Sequence, residues 1–129
     1  MDMKQLTLLV SAMLIALLFA CSPTVPKNAE EVARMPRVYP DNTAAVLPPN
    51  IAPLNFRVLD ECDEVVVRIH SNKTKEEIVV SGPDLDINVD DWHSLLDKAK
   101  GGNLLTDVYI KRGDKWQHLS TIVNPVAME

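Results

Sequence analysis

The sequence is poor in the residues on which disulfide-rich proteins and nucleic-acid-binding proteins depend. Its 129 residues include two cysteines, and aromatic residues make up only 5% of the chain. A domain held together by several disulfides is therefore excluded. The formal net charge is −5 and no basic cluster is present, which argues against nucleic-acid binding and against electrostatic adhesion to anionic lipid.

Recognisable catalytic and metal-binding patterns are also missing from the sequence. It contains no Gly-x-Ser-x-Gly nucleophile elbow, no phosphate-binding loop and no Cys-x-x-Cys-His haem motif. His70, His93 and His118 lie far apart and lack the spacing of paired metal ligands. Residues 84–90 carry acidic side chains at the spacing of a calcium-binding loop, but Val89 occupies the position that requires glycine. We therefore expect no enzymatic activity, no metal site and no cofactor.

The N-terminus, by contrast, is rich in apolar residues. Lys4 precedes an apolar run from Leu6 to Ala20, which is the pattern of a secretory signal peptide. The run spans roughly 15 residues, whereas a membrane-spanning helix needs about 20. A transmembrane helix is therefore the weaker alternative, and residues 1–20 are predicted to be a signal peptide.

The end of this run resembles the lipobox of bacterial lipoproteins. Leu18, Ala20 and Cys21 match the lipobox, while Phe19 is bulkier than the residue usually found there. The resemblance implies that the chain is cut before Cys21 and that lipid is attached to this residue. Ser22 stands where an inner-membrane retention signal would place Asp, which favours the outer membrane. The resemblance thus implies a lipid-anchored protein of the cell envelope, on its periplasmic or surface face.

A proline-rich segment follows the lipobox. Seven of the nine prolines lie between residues 22 and 53, and proline excludes long helices and central strands. Residues 21–45 are therefore predicted to form a semi-rigid tether. Residues 46–56 are too apolar for a solvated linker and predict an extended strand along a sheet edge, where proline is tolerated.

Part of this segment also resembles the start of a known lipoprotein family. Tyr39-Pro40-Asp41 and the run from Leu47 to Arg57 are similar to Bacteroidetes-type lipoproteins that carry PD40, or TolB-like, β-propeller repeats further along. Weaker similarity continues through residues 92–96 and at Trp116. The repeats would lie beyond Glu129, so the resemblance implies a short member or the product of a truncated gene, and it gives no support to a propeller-based function.

Residues 46–129 predict a β-rich domain. In residues 64–70, Val65, Val67 and Ile69 face one way while Val66, Arg68 and His70 face the other, as in a strand. The same reasoning predicts strands at residues 54–58, 77–81, 104–111 and 116–122.

A single helix is predicted between these strands. Trp92, Leu95, Leu96 and Ala99 follow helical spacing, with Asp90 or Asp91 as the N-cap. Together the elements predict a small immunoglobulin-like antiparallel β-sandwich with one short helix. An α+β sheet with one packed helix is the alternative.

Two functions agree with this organisation. The first is a lipid-anchored envelope protein whose domain is a non-catalytic interaction or presentation module for an envelope protein partner. The second is a glycan-binding surface lipoprotein in which Trp92, Tyr109 and Trp116 are stacking platforms. Two exposed tryptophan rings on one flat face would favour glycan binding, and buried rings would exclude it. Cys62 has no intramolecular partner if Cys21 carries lipid, and is predicted to be a partly buried apolar residue.

Overall fold

The structure, a computed structural model, describes residues 3–5 and 23–128. Cys21 and most of the predicted signal peptide lie outside these residues. Residues 23–128 form strands β1 (Glu30–Glu31), β2 (Val38–Tyr39), β3 (Arg57–Val58), β4 (Glu64–Ser71) and β5 (Thr74–Ser81), helix α1 (Val89–Lys98), and strands β6 (Asn103–Arg112), β7 (Lys115–His118) and β8 (Ile122–Pro125). No helix among the described residues is long and apolar enough to cross a membrane.

Six of the strands form one sheet. Strands β5, β4, β6 and β7 lie side by side in that order with antiparallel pairing. Strand β8 continues past β7 along the same edge of β6. Strand β1 pairs in parallel with the edge of β7 that β6 leaves free, which departs from the all-antiparallel prediction.

The β7–β8 edge contains a β-bulge. Tyr109 pairs with His118 and Thr106 with Ile122, so three residues of this edge face two residues of β6. The extra residue is accommodated between Leu119 and Thr121. Such an insertion changes the direction in which the neighbouring side chains point. The bulge places Thr121 beside Asp107, where its hydroxyl donates to the carboxylate.

The inner face of the six-stranded sheet carries the core. Alternation directs Val65, Val67 and Ile69 of β4 inward, as predicted, and all three are at most 4% exposed. Val108 and Ile110 of β6 lie beside them and are fully buried. The inward-facing residues of β4 and β6 therefore follow the alternation that their sequences indicate.

Helix α1 packs on this inner face through its apolar stripe. Trp92, Leu95, Leu96 and Ala99 are each at most 1% exposed, which confirms the predicted stripe. The N-cap is Asn88, whose side chain accepts a hydrogen bond of 3.0 Å from the Asp91 amide. The prediction of Asp90 or Asp91 as the cap was therefore wrong. Both acids lie in the first turn, where they favour the positive end of the helix dipole.

A second, two-stranded sheet completes the layer opposite the six-stranded sheet. Val38 of β2 pairs with Val58 of β3, and both belong to the core. The fold is thus a mainly β, small β-sandwich with one short helix, as predicted. Helix α1 and the small sheet both contribute residues to the same core.

The segment predicted to be a free tether packs on the domain from Glu30 onward. Strand β1 pairs with β7, and Val38 is buried. The Arg34 guanidinium lies 2.6 Å from the buried Asp60 carboxylate, which also accepts the Arg37 amide at 2.8 Å. The predicted boundary at residue 45 was therefore wrong. Proline excludes long strands but leaves room for strands of two residues between prolines.

The prediction of a strand at residues 46–56 was also wrong. Only Leu47 makes a bridge, with Val126, and residues 48–56 cross the core without strand pairing. Leu47 and Phe56 are buried, and the Ile51 carbonyl accepts the Trp92 indole N–H at 2.9 Å. The prolines of this segment lack the amide hydrogens that ladder pairing needs, so the segment does not form a strand. Its apolar residues cover the core instead.

Candidate functional site

The outer face of the six-stranded sheet carries a cluster of charged side chains around Asp107. Antiparallel register places Arg68 of β4 directly beside Asp107 of β6. We call this group the Asp107 cluster, and its members come from five strands and the bulge: Glu31, Arg68, His70, Glu77, Asp107, His118 and Thr121.

Asp107 is the centre of the cluster and is only 5% exposed. One carboxylate oxygen lies 2.6 Å from His70 Nε2 and 3.8 Å from the Arg68 guanidinium. The other oxygen lies 3.0 Å from His118 Nε2 and accepts the Thr121 hydroxyl. A buried carboxylate needs such partners, since an unpaired charge in this position would be strongly destabilising.

His118 lies between two carboxylates. Its Nε2 faces Asp107 at 3.0 Å, and its Nδ1 faces Glu31 at 2.9 Å. A neutral imidazole has only one N–H, so both hydrogen bonds form only when the ring is an imidazolium. The ring also stacks on Tyr109, with centroids 4.5 Å apart and planes inclined by 15°.

The pKa shifts in the cluster follow from these contacts. Burial acts to raise the pKa of Asp107, but hydrogen bonds from Thr121, His118 and His70 outweigh it and lower the pKa below 3.8. Burial acts to lower the pKa of His118, whereas its contacts with Glu31 and Asp107 raise it above 6.5. The folded state thus favours a carboxylate at Asp107 and an imidazolium at His118.

This arrangement suits charge display and structural support better than acid–base chemistry. Because both nitrogens of His118 face carboxylates, the ring has no free lone pair with which to accept a proton from a substrate. Among the described residues, no group of three or more His, Cys, Asp or Glu side chains is arranged to hold a metal ion. The cluster links β1, β4, β5, β6 and β7 into one rigid surface.

An apolar pair borders the cluster on the outer face. Leu105 of β6 pairs directly with Val123 of β8, and His70 lies on the other side of Leu105. Val123 is 45% exposed. The outer face therefore offers accessible apolar area directly beside charged side chains.

The three predicted stacking residues do not form one platform. Trp92 is buried on the inner side of the sheet, while Tyr109 and Trp116 lie on its outer side. Tyr109 is 8% exposed and is covered by His118, and Trp116 is half-buried with the Lys111 ammonium 6.0 Å from its ring. Trp92 is therefore excluded as a binding residue. The predicted lipid attachment at Cys21 lies outside the described residues.

Sequence reasoning treated the histidines as unrelated, and the structure brings two of them together. His70 and His118 both contact Asp107, whereas His93 is exposed on helix α1. One signal was present, because alternation places Arg68 and His70 on the same face of β4. The register of β4 against β6, which adds Asp107, was not readable because residues 72–102 separate the two strands.

Cys62 is half-buried against the core, as predicted. Its thiol lies 3.4 Å from the Asp60 carbonyl. Burial raises the pKa of this thiol, and the negative charges of Asp60 and Asp63 raise it further, although Arg112 opposes them. A raised pKa disfavours the thiolate, so Cys62 is a poor nucleophile.

Comparisons of the chain with protein-family models, curated proteins and solved structures find no match.

Proposed function

We propose that the protein is a lipid-anchored cell-envelope protein whose β-sandwich is a non-catalytic interaction module for an envelope protein partner. The resemblance of Leu18, Ala20 and Cys21 to a lipobox supports the anchor. The outer face of the six-stranded sheet supports the interaction. The observation that carries the proposal is the apolar pair beside the Asp107 cluster, in which Val123 is exposed and Leu105 is half-buried.

The chemistry of this face suits a protein partner. The Leu105–Val123 pair supplies apolar area beside the Asp107 cluster, and Val123 is already half-exposed in the free domain. Arg68 and Glu77 form an ion pair at the surface, with side chains 34% and 43% exposed, and supply charges of both signs. Such a combination of apolar contact and oriented charge is typical of specific protein interfaces.

The same outer face gives little support to glycan binding. Sugar rings stack on exposed aromatic faces, and of the three predicted platforms only Trp116 is more than marginally exposed. One half-buried ring does not make the flat pair of rings that this hypothesis requires. The interaction module is therefore the function we favour.

The anchor is tested on the native N-terminus. Mass spectrometry of the purified protein should find acyl chains on Cys21 as the first residue. The Cys21→Ser variant should lose membrane association in cell fractionation, because several acyl chains are needed for stable anchoring. An unmodified Cys21, or cleavage elsewhere, would contradict the anchor.

The interaction is tested by affinity purification of the detergent-solubilised, lipidated protein. We expect a stoichiometric partner that is retained by the wild type and lost from Val123→Glu. Val89→Glu is the matched control, because Val89 is also half-exposed, at 52%, but lies on helix α1 on the other side of the sheet. Equal recovery with both variants would show that the outer face does not bind the partner.

A further inference from the structure

We propose that the turn between β6 and β7 is the end of the domain that faces the bilayer and touches its headgroups. We call residues 112–116 the hairpin tip. The inference rests on the proposed lipid at Cys21, and its occupant is the bilayer that holds this lipid. It adds an orientation and a membrane-contacting surface to the proposed function.

The N-terminal segment reaches the domain beside the hairpin tip. Lys27, Asn28 and Glu30 line one surface cleft together with Asp114, Lys115 and Trp116. Glu30, at the edge of this cleft, pairs with Gln117, and Glu31 pairs with His118. The chain that leads from the anchor therefore joins the domain at the hairpin tip.

Only a short length of chain connects the proposed anchor to this cleft. Lys27 lies six positions after Cys21 in the chain. A fully extended chain covers at most 3.3–3.6 Å per residue, so Lys27 lies within about 20 Å of the lipidated residue. The prediction of a tether that ends at residue 45 would have allowed a much greater separation. The packed segment keeps the hairpin tip close to the membrane surface.

The side chains of the hairpin tip are of the kinds found at membrane surfaces. Trp116 is half-buried, and the Lys111 ammonium lies near its ring. Arg112 and Lys115 flank the turn and are exposed. A tryptophan accompanied by long cationic side chains is a typical group at a membrane–water interface. Nearby acids, including Asp114, balance the charge, so contact depends on the ring and on the short connection rather than on net charge.

The tip is also rigid. The Gly113 amide donates to the Asp63 carboxylate at 2.9 Å, and Arg112 Nε donates to the Glu61 carbonyl at 3.0 Å. Gly113 has φ of +61°, a conformation that favours glycine in a two-residue turn. The ring of Trp116 is thus presented on a fixed support.

This orientation leaves the proposed partner surface accessible. Leu105 lies seven residues from Arg112 along β6, which corresponds to about 24 Å at 3.4 Å per residue. The Leu105–Val123 pair therefore lies at the membrane-distal end of the same strand.

The test uses the lipidated full-length protein in phosphatidylcholine vesicles whose acyl chains carry bromine close to the headgroup. Bromine quenches tryptophan fluorescence at short range, and the difference between wild type and Trp116→Phe isolates the emission of Trp116. We expect Trp116 emission to be lost in brominated vesicles compared with unlabelled ones. Trp92, which is buried in the core, is the internal control and should keep its emission.

A second variant tests the short connection. Insertion of a flexible Gly-Ser segment of about ten residues after Pro23 should relieve the quenching of Trp116. Lipidated, vesicle-bound protein with unquenched Trp116 would overturn this inference alone, and so would quenching that the insertion leaves unchanged. Absence of lipid on Cys21 would overturn both this inference and the proposed anchor.

Discussion

The inner and outer faces of the six-stranded sheet bury their residues by different means. On the inner face, Val67, Val108 and Ile110 are fully buried against apolar neighbours. On the outer face, Asp107 is 5% exposed although it is charged, because two histidines, a threonine and an arginine surround it. Hydrophobic burial is insensitive to pH, whereas the outer face depends on the protonation of its members. The same strands thus carry a permanent core and a titratable surface.

The largest expected effect comes from the inner face. Trp92→Ala should lower the free energy of unfolding by about 3–5 kcal/mol, because it opens a cavity and removes the partner of the Ile51 carbonyl. Urea denaturation followed by far-UV circular dichroism measures the change. Trp116→Ala, on the outer face, is the control and should cost about 1 kcal/mol or less. Equal costs for the two tryptophans would contradict the contrast between the faces.

The next largest effect is expected from substitution of Asp107, at the centre of the cluster on the outer face. Asp107→Ala should cost about 2–3 kcal/mol at neutral pH, since it leaves His70, His118 and Thr121 without their common acceptor. Glu77→Ala removes an exposed carboxylate from the same cluster and should cost less than about 1 kcal/mol. A loss in Asp107→Ala no larger than in Glu77→Ala would contradict the role of Asp107 as the common acceptor of the cluster.

The pH dependence of Asp107 has a defined sign. Its folded pKa lies below 3.8, so its contribution to stability is present above pH 3.8 and is lost as the pH falls through the folded pKa. The difference between wild type and Asp107→Ala should therefore shrink on acidification, as measured by urea denaturation across the acid range. A difference that is constant with pH would contradict this assignment.

A smaller effect sharpens the comparison at His118. Its folded pKa is raised above 6.5, so its contribution is fully present below pH 6.5 and is lost as the pH rises through the folded pKa. The stability advantage of wild type over His118→Gln should decrease over that interval. Tyr109→Phe keeps the stacked ring and should retain the wild-type pH profile. Parallel profiles for wild type and His118→Gln would refute the doubly hydrogen-bonded imidazolium.

The smallest expected effect is that of Val123→Glu. Val123 is 45% exposed, so the substitution should change the free energy of unfolding by no more than about 0.5 kcal/mol. Thermal or urea unfolding of the protein checks this value. A larger loss would mean that Val123 belongs to the core, and loss of partner binding in this variant would then reflect misfolding.

The sequence was most informative where side chains alternate or repeat over a long element. The pattern of β4 predicted its buried face, and the spacing of Trp92, Leu95, Leu96 and Ala99 predicted the buried side of helix α1. These periodicities are local, so they can be recognised without knowledge of the tertiary fold.

The sequence was least informative where structure depends on distant pairing. Residues 30–39 form two short strands whose partners lie far along the chain, and proline content alone suggested a tether. The Asp107 cluster requires the register of β4, β6 and β7 together with one extra residue in the bulge. A shift of one residue would direct His118 to the opposite face, so no local pattern identifies the cluster.

Strand β1 has a mechanical consequence under the proposed anchoring. Tension between membrane and domain enters the fold at this strand, which has only two paired residues. Its pairing and the contact between Glu31 and His118 would bear the load first, and the Arg34–Asp60 ion pair would bear it next. Detachment of residues 30–37 would then lengthen the connection while β4 and β6 stay paired. The N-terminal segment would thus extend under tension before force reaches the core strands.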